Sequence, residues 1–359
     1  MLFDNLIDQE VAKRVLGRAW SEGRLAQSYL FFGPGGVGKE TAARDLALAL
    51  NCEAEGERPC RACNSCRKTA AFIHPDFHYL FPRPHPSSES DKRKLDEEIA
   101  EMLKEKAAHP HLDLDFGGRP VAIAIDDIRA LREKLEFQPY EGKKKVAIIA
   151  AAEEMTTEAA NAFLKVLEEP SPTTHFILVS DRPSSLLPTI LSRCQKVRFH
   201  PLPPGQLAGV LVREDGQSPE AAALLAQLSG NSLGRARQLI DQGLLAERDL
   251  ALEIMETAAT GRHLEMMQAI EKLGRDRGRY LRQLELMSAL ASDLVRIRNG
   301  RRAGNSDLQS QLSQLARLVP DRSLEGLVMA IETSRAALDG NVTPKLCLLA
   351  VCNAIQGEP

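Results

Sequence analysis

The amino-acid sequence predicts an α/β domain with a parallel sheet, followed by two domains made of helices. Residues 29–32 are an apolar run that breaks into a glycine-rich loop and then into a helical sequence. Residues 146–149 and 176–179 are further short apolar runs of the kind typical of parallel strands buried on both faces. After the proline-rich linker at 201–204, almost every segment has the periodicity of an amphipathic helix.

The length of 359 residues is enough for two or three domains with a large core. We predict an α/β domain over 1–203, which carries a cysteine module at 52–66 and an insertion at about 82–120. A small helical domain at 204–243 and a larger one at 244–359 follow. The larger one is expected to contain helices over 245–258, 263–273, 278–298, 308–319, 322–338 and 343–356.

Charge and composition restrict the possible partners. A net charge of −3 and a pI near 6.3 exclude a general polycation, so any DNA contact must be local or shared with other proteins. The first residues lack the basic and apolar regions of a secretion signal, and no run reaches the roughly 18 apolar residues of a membrane span. We therefore expect a soluble, cytoplasmic protein whose seven cysteines are thiols or metal ligands.

The first helix is predicted within 3–28, ending at the turn of Gly23 and Arg24 that leads to the strand at 29–32. The loop that follows matches Gly-x4-Gly-Lys, a pattern whose backbone N–H groups surround a polyphosphate while the lysine adds a positive charge. Its residues, the candidate nucleotide ligands, are Gly33, Pro34, Gly35, Gly36, Val37, Gly38 and Lys39. A glycine turn that merely joins a strand to a helix is the alternative.

The loop departs from the full pattern at its last position. A Ser or Thr hydroxyl that holds Mg²⁺ is expected after the lysine, and Glu40 stands there instead. A carboxylate at this helix start would lie beside the phosphates and stabilise the helix when no phosphate is present. The strand at 146–149 likewise ends in Ala150 and Ala151, where a nucleoside triphosphatase needs Asp-Glu to hold the metal through water and position the attacking water. A rival register would use Glu153 and Glu154.

Four cysteines form a C-x7-C-x2-C-x2-C cluster directly after the next helix, which is predicted over 41–51. Overlapping C-x2-C turns can direct neighbouring thiolates at one ion, and four thiolates close a tetrahedral structural zinc site. The predicted ligands are Cys52, Cys60, Cys63 and Cys66. A redox Cys-x-x-Cys pair or chance clustering are the alternatives. Because the cluster lies inside an α/β domain without interleaved aromatic residues, we expect it to staple a loop.

The segments between these motifs carry weaker signals. His74 is expected to be a buried hydrogen-bonding residue, and 82–120 is rich in Pro, Ser, Lys and Glu with a charged helix over about 91–106. We predict an exposed insertion without chemistry of its own. Helices are expected from 125 and over 156–169, and a short helix places Arg193 just before a strand at 197–199. Arg193 is either a surface residue or a guanidinium that reaches the γ-phosphate bound by a neighbour.

Together, these motifs resemble bacterial DNA polymerase III clamp-loader subunits of the AAA+ class, and the delta-prime family above all. The resemblance covers nearly the whole chain, and two segments, 161–170 and 187–194, carry it most specifically. It implies an AAA+ nucleotide-binding domain, a helical lid at 204–243 and a helical collar at 244–359 that joins subunits. It also implies that Ser192, Arg193 and Cys194 form an arginine-finger motif, which completes the ATP site of an adjacent gamma/tau subunit.

The resemblance further implies a subunit that does not hydrolyse ATP, although ATP or ADP could bind passively. Glu40, Ala150 and Ala151 replace metal and water ligands, and Gly234 stands where the lid of a hydrolysing relative has a sensor arginine. The implied partners are gamma/tau and delta subunits, with the sliding clamp and primed DNA reached through the assembly during DNA replication. Two other functions stay open: an ATP-hydrolysing gamma/tau-like subunit, and a zinc-dependent DNA-binding protein.

Overall fold

The computed structural model describes residues 2–274, 276–339 and 342–357, except for the side chains of 321, 322, 325 and 339. The outermost residues of the predicted domains, 1 and 359, therefore lie outside the described part. The chain divides into two compact units. The first contains residues 1–203 and 229–238, and the second contains 204–228 and 239–359. The separate lid and collar at 204–243 and 244–359 stay predictions.

The first unit is built on five parallel strands, which confirms the predicted fold class. The strands are β1 (Ser28–Phe32), β2 (Phe77–Leu80), β3 (Lys145–Ile149), β4 (Thr174–Ser180) and β5 (Gln195–Arg198). They lie in the order β2-β3-β4-β1-β5, and every neighbouring pair is parallel. Consecutive side chains of a strand point to opposite faces, so each strand contributes to two cores. Helices are therefore needed on both faces of this sheet.

Helices cover both faces of the sheet. On one face, α1 (Glu10–Ser21) and α2 (Lys39–Asn51) pack on Tyr29 and Phe31. On the other, α5 (Ile125–Leu135), α6 (Thr157–Glu168) and α7 (Pro188–Arg193) pack on Leu30 and Phe176. The remaining helices of this unit are α3 (Asn64–Ala70) and α4 (Glu89–Ala108).

The predicted start of the helix within 3–28 is wrong, because α1 begins only at Glu10. Its predicted end before the turn of Gly23 and Arg24 is confirmed, because α1 ends at Ser21. Asp8 and Gln9 adopt positive φ angles of 57° and 62°, a left-handed conformation that cannot continue a helix. The Gln9 side chain also binds both the backbone N–H and the carbonyl oxygen of His200, which fixes the chain before the helix. At the other end, Gly23 has φ of 65° and turns the chain towards β1.

The segment at 82–120 is not the wholly exposed insertion that its composition predicts. Leu95, Lys106 and Phe116 are each at most 5% exposed. Leu95 and Phe116 form a small core with Phe81, which directly follows β2, and with Ala150, which directly follows β3. A charged sequence can still bury one helical stripe, and here that stripe is narrow. The segment is thus part of the first unit.

The second unit is formed by helices, as predicted. Within it, α8 (Pro204–Glu214) packs on α9 (Pro219–Leu228), and the Ser218 hydroxyl accepts the backbone amide of Ala221 and so caps α9. The longer helices enclose one apolar core that contains Cys347 and Cys352. They are α11 (Leu244–Ala259), α12 (His263–Glu271), α13 (Arg277–Arg298), α14 (Gln309–Leu318), α15 (Asp321–Asp339) and α16 (Pro344–Gln356). The helix α10 (Leu233–Asp241) contains the point at which the two units meet in sequence.

Within the described part of the chain, no helix combines the length and the hydropathy that a bilayer crossing requires.

Candidate functional site

The phosphate loop lies where the sequence predicts it, between the carboxyl end of β1 and the first turn of α2. Two of its glycines are required by backbone neighbours. A Cβ atom on Gly33 would lie 2.3 Å from the carbonyl oxygen of Phe199, and one on Gly36 would lie 2.9 Å from the backbone nitrogen of Arg235. Gly36 also has φ of 70°, which favours glycine. The loop geometry survives, but other parts of the protein crowd it.

Lys39 is engaged by protein groups. Its Nζ lies 2.7 Å from Oδ1 of Asp181, donates to the carbonyl oxygen of Gly33 at 2.8 Å and also donates to that of Pro34. The Lys39 side chain is 3% exposed, whereas the Asp181 carboxylate is half exposed. The Asp181 carboxylate is therefore the anion paired with Lys39, where the sequence pattern predicts a phosphate.

The sequence predicts that Glu40 lies beside the phosphates. In the structure, its carboxylate is directed away from the loop. Its Oε1 accepts a hydrogen bond from the Tyr79 hydroxyl at 2.9 Å and lies 3.1 Å from Nζ of Lys106. Burial, together with the Glu40 charge, raises the pKa of Tyr79 well above its ordinary value, so that its hydroxyl stays protonated and donates. The Glu40 carboxylate thus points towards β2 and α4.

The end of β3 offers no carboxylate at the expected positions. Ala150 is 8% exposed and packs against the apolar cluster formed with Leu95 and Phe116. The rival register is not adopted, because β3 ends at Ile149 and Glu153 lies in a 3-10 turn at Ala152–Glu154. Oε1 of Glu153 accepts the amides of Asp181 and Arg182 at 2.9 and 3.2 Å, so this carboxylate fixes the chain after β4.

Residues 230–235 close against the loop. The amide of Gly234 donates to the carbonyl oxygen of Gly36 at 2.9 Å, and the Ser232 hydroxyl donates to that of Gly35 at 2.8 Å. A Cβ atom on Gly234 would lie 2.9 Å from Cα of Gly36. The glycine at the expected sensor position is therefore required by a backbone contact, and an arginine there would not fit without a shift.

Arg193 is the last residue of α7 and is exposed. One guanidinium nitrogen lies 2.8 Å from Oε1 of Glu168, and the other donates to the carbonyl oxygen of Thr189 at 3.0 Å. The Ser192 hydroxyl donates to the same carbonyl at 3.0 Å, while Cys194 is buried, which raises the pKa of its thiol to about 11. The surface position fits a guanidinium presented to another molecule.

The register of the sheet separates Arg193 from the phosphate loop. Gln195, at the amino end of β5, pairs with Tyr29, whereas the loop begins after Phe32 at the carboxyl end of β1. Parallel strands rise about 3.3 Å per residue, so these two edges lie roughly 10 Å or more apart along the sheet. The structure does not bring Arg193 to the loop of its own chain.

The cysteine cluster comes together as predicted. The ligand atoms of its four residues all lie within 4.8 Å of one another, and all seven cysteines of the chain are free. The amides of Cys60, Cys63 and Cys66 each donate to the sulfur of the preceding cluster cysteine at 3.3–3.4 Å. Hydrogen bonds from the backbone N–H groups of Ala62 and Cys63 lower the pKa of the Cys60 thiol to about 6, which favours its thiolate, whereas burial raises the pKa of the Cys66 thiol. This cluster can hold a metal ion.

His74 has the structural role that the sequence predicts. It is 3% exposed, and its Nδ1 accepts the amide of Asp76. The Asp76 carboxylate in turn accepts the amides of Tyr140, Glu141 and Gly142 at 2.7, 2.8 and 2.7 Å. These contacts tie the turn before β3 to the start of β2.

Sequence reasoning missed two residues of the site. Asp181 follows β4 directly, and a polar residue at a strand end beside the loop could have been noticed as a candidate. Lys106 belongs to a charged helix in which many lysines look alike, so the pattern contained no signal that singles it out. Only the packing of α4 identifies it.

The fold and the site define an α/β protein of the phosphate-loop type whose metal and water ligands are replaced. Residues 8–203 match the family described as DNA polymerase III, delta subunit. This match covers more than half of the chain, and the chain belongs to that family.

The chain is similar to individual delta' and gamma/tau subunits. The delta' subunit of DNA polymerase III from Bacillus subtilis is 34% identical over 218 residues, which cover 61% of this chain and 55% of that protein. The gamma/tau subunit from Mycobacterium tuberculosis is 32% identical over 254 residues, which cover 69% of this chain and 38% of that protein. The chain thus spans about half or less of the length of these two relatives. A gamma-subunit-related protein from Thermotoga maritima aligns over 98% of this chain and 99% of its own, at 16% identity and a TM-score of 0.42.

Proposed function

We propose that this protein is a delta-prime-type subunit of the DNA polymerase III clamp loader that does not hydrolyse ATP itself. The observation that carries the proposal is the state of the phosphate-loop site. Lys39 is paired with Asp181, and the positions that should hold the metal and aim the water are Glu40 and Ala150. Positioning and electrostatic stabilisation supply nearly all of the catalysis of phosphoryl transfer, so their loss removes the reaction even where the loop geometry persists.

The proposed contribution to catalysis is Arg193, given in trans to an ATP site on a neighbouring gamma/tau subunit. Its exposure at the end of α7 and its distance from its own loop support this role. A guanidinium is always charged and can donate two parallel hydrogen bonds to phosphate oxygens. Docking would replace the exposed ion pair with Glu168, which costs little because such pairs contribute only about 0–1 kcal/mol.

The remaining parts of the proposal concern ligands and partners. The Cys52, Cys60, Cys63 and Cys66 cluster holds a structural zinc ion, because four thiolates favour tetrahedral zinc and leave no open coordination position. The subunit works in the cytoplasm with gamma/tau and delta subunits, and it reaches the sliding clamp and primed DNA through that assembly. ATP or ADP occupies the loop passively or not at all.

The experiment is an ATPase assay of a reconstituted loader with primed DNA and clamp. Arg193→Ala should lower hydrolysis at the site it serves by on the order of 10³-fold or more, and Arg193→Lys should not restore it. Arg129→Ala is the matched control, because Arg129 is also an exposed helical arginine with one acidic partner, Asp126. Unchanged hydrolysis with Arg193→Ala would overturn the arginine role.

An ATPase assay of the purified chain alone distinguishes this proposal from an ATP-hydrolysing subunit. The chain should show no DNA-stimulated hydrolysis above that of a Lys39→Ala variant. Turnover that this variant abolishes would instead identify a working ATPase of the gamma/tau kind.

A further inference from the structure

The metal-binding half of the phosphate-loop site is filled by residues of the chain itself. Glu40 stands at the position of the hydroxyl that would hold Mg²⁺, and Ala150 stands at that of the carboxylate which would hold it through water. Neither residue fits the ion. Glu40 faces Tyr79 and Lys106, and the methyl group of Ala150 lies in an apolar cluster.

Both positions are covered by the same segment, which we call the 89–119 segment. It contributes Leu95 and Phe116 to the cluster around Ala150. It also contributes Lys106, whose side chain is 3% exposed and whose ammonium group lies 3.1 Å from the Glu40 carboxylate. Polar contacts fix the segment further. The side-chain Nε2 of Gln238 donates to the carbonyl oxygen of His111 at 2.9 Å and to the carboxylate of Asp113 at 2.8 Å.

The charges around Lys106 are unusual for a surface helix. A lysine is rarely buried unless it is paired, and Lys106 has two partners, the carboxylate of Glu40 and the carbonyl oxygen of Leu112 at 2.7 Å. Glu40 is less dependent on Lys106, because its side chain is 25% exposed and also accepts from Tyr79. Lys106 therefore supplies a fixed positive charge to the carboxylate that stands at the sequence position of the Mg²⁺-binding hydroxyl.

We propose that the 89–119 segment permanently seals the metal half of the phosphate-loop site, with Lys106 as the internal cation that neutralises Glu40. The loop then gains no affinity for a phosphate group from a divalent metal. This inference rests on the proposed function, in which the loop belongs to a nucleotide site that does not hydrolyse ATP. It is judged on the isolated full-length chain, independently of Arg193 and of any partner.

The first measurement compares ATP in two buffers by thermal unfolding of the wild-type chain. The shift in Tm that ATP causes should be the same, within about 1 °C, with Mg²⁺ and in buffer freed of divalent cations. The second buffer must contain no chelator, because a chelator would also attack a metal held by the cysteines. A shift that requires Mg²⁺ would overturn the proposal, whereas equal shifts, including two shifts of zero, agree with it.

The second measurement tests the seal by a double-mutant cycle. Glu40→Gln leaves the buried Lys106 ammonium without its carboxylate and should lower Tm by roughly 5–10 °C, whereas Lys106→Met should lower it less. Each single variant should speed amide hydrogen exchange in the 89–119 segment. The double variant should lose less than the sum of the two single losses, because the unpaired charge is gone.

A matched control lies on the same helix. Glu101 and Lys104 form an ion pair at 2.9 Å with both side chains exposed, so Glu101→Gln and Lys104→Met should change neither Tm nor exchange measurably. Additive losses at Glu40 and Lys106, with unchanged exchange in the 89–119 segment, would overturn the seal. If the Arg193→Ala assay fails while this cycle holds, the arginine proposal is lost and the seal stands.

Discussion

Replacement of Asp76 tests how the amino-terminal edge of the sheet is held together. The Asp76 side chain is 1% exposed, and its carboxylate accepts three backbone amides at 2.7, 2.8 and 2.7 Å. Hydrogen bonds to a charged group contribute about 1.5–3 kcal/mol each, but three bonds to one carboxylate are not additive. We therefore expect Asp76→Ala to lower the free energy of unfolding by about 4 kcal/mol, close to the cost of breaking a buried charged network.

The assay is thermal and urea unfolding of the full chain. For a unit of this size, each kcal/mol corresponds to about 2–4 °C in Tm, so the expected loss is roughly 8–16 °C. Asp126→Ala serves as the control, because the Asp126 side chain is 84% exposed and bonds only to Arg129 among the described residues. A free energy of unfolding for Asp76→Ala within about 1 kcal/mol of wild type would refute this reasoning.

The pH dependence gives an independent check. Burial acts to raise the pKa of Asp76, and the three amides outweigh it, so that the pKa lies below its ordinary value. A lowered folded-state pKa means that the unfolded chain binds the proton more readily. The stabilisation is therefore complete above the unfolded pKa of about 3.9 and is lost as the pH falls through the folded value. Asp76→Asn should be less stable than wild type at neutral pH. Its stability should not show the decrease that wild type shows as the pH falls through the folded-state pKa of Asp76.

Three further predictions follow from other parts of the structure. Cys63→Ser should reduce the bound zinc, measured by elemental analysis, from one ion per chain to less than half and should lower Tm, because a metal ligand is lost. Gly234→Arg should lower the free energy of unfolding by about 1–3 kcal/mol in urea titrations, because its Cβ atom would lie 2.9 Å from Cα of Gly36. His78 should titrate near 4 by NMR, since burial lowers its pKa to about 4; its contribution to stability is complete above the unfolded value of about 6.5 and is lost as the pH falls towards 4.

Each of these predictions has a control or a contrary outcome. Cys347→Ser affects a buried core thiol outside the cluster and should leave the metal content unchanged. Gly205→Ala tests a glycine with open space around it and should be nearly neutral. A variant with Arg at 234 that is as stable as wild type would contradict the proposed backbone contact, and a His78 pKa near 6.5 would contradict its burial.

The strands and most helices could be predicted because their signals are local. Apolar runs of four residues at 29–32, 146–149 and 176–179 predicted the positions of β1, β3 and β4. Thr156 caps α6 through the amide of Ala159, as its residue type indicates. The predicted start of the helix within 3–28 was wrong for a non-local reason. Gln9 is held in a left-handed conformation by the backbone of His200, which is distant in sequence.

The sequence alone determined the parallel α/β class, the helical second half, the cysteine cluster and the absence of the usual metal ligands at Glu40 and Ala150. These conclusions depend on residue type and spacing, which are properties of short segments. Only the tertiary structure decided which groups pair with Lys39 and Glu40, because Asp181 and Lys106 reach them from elements far away in the chain. A buried charge is selected by the partners around it, and those partners become neighbours only when the sheet and its helices assemble.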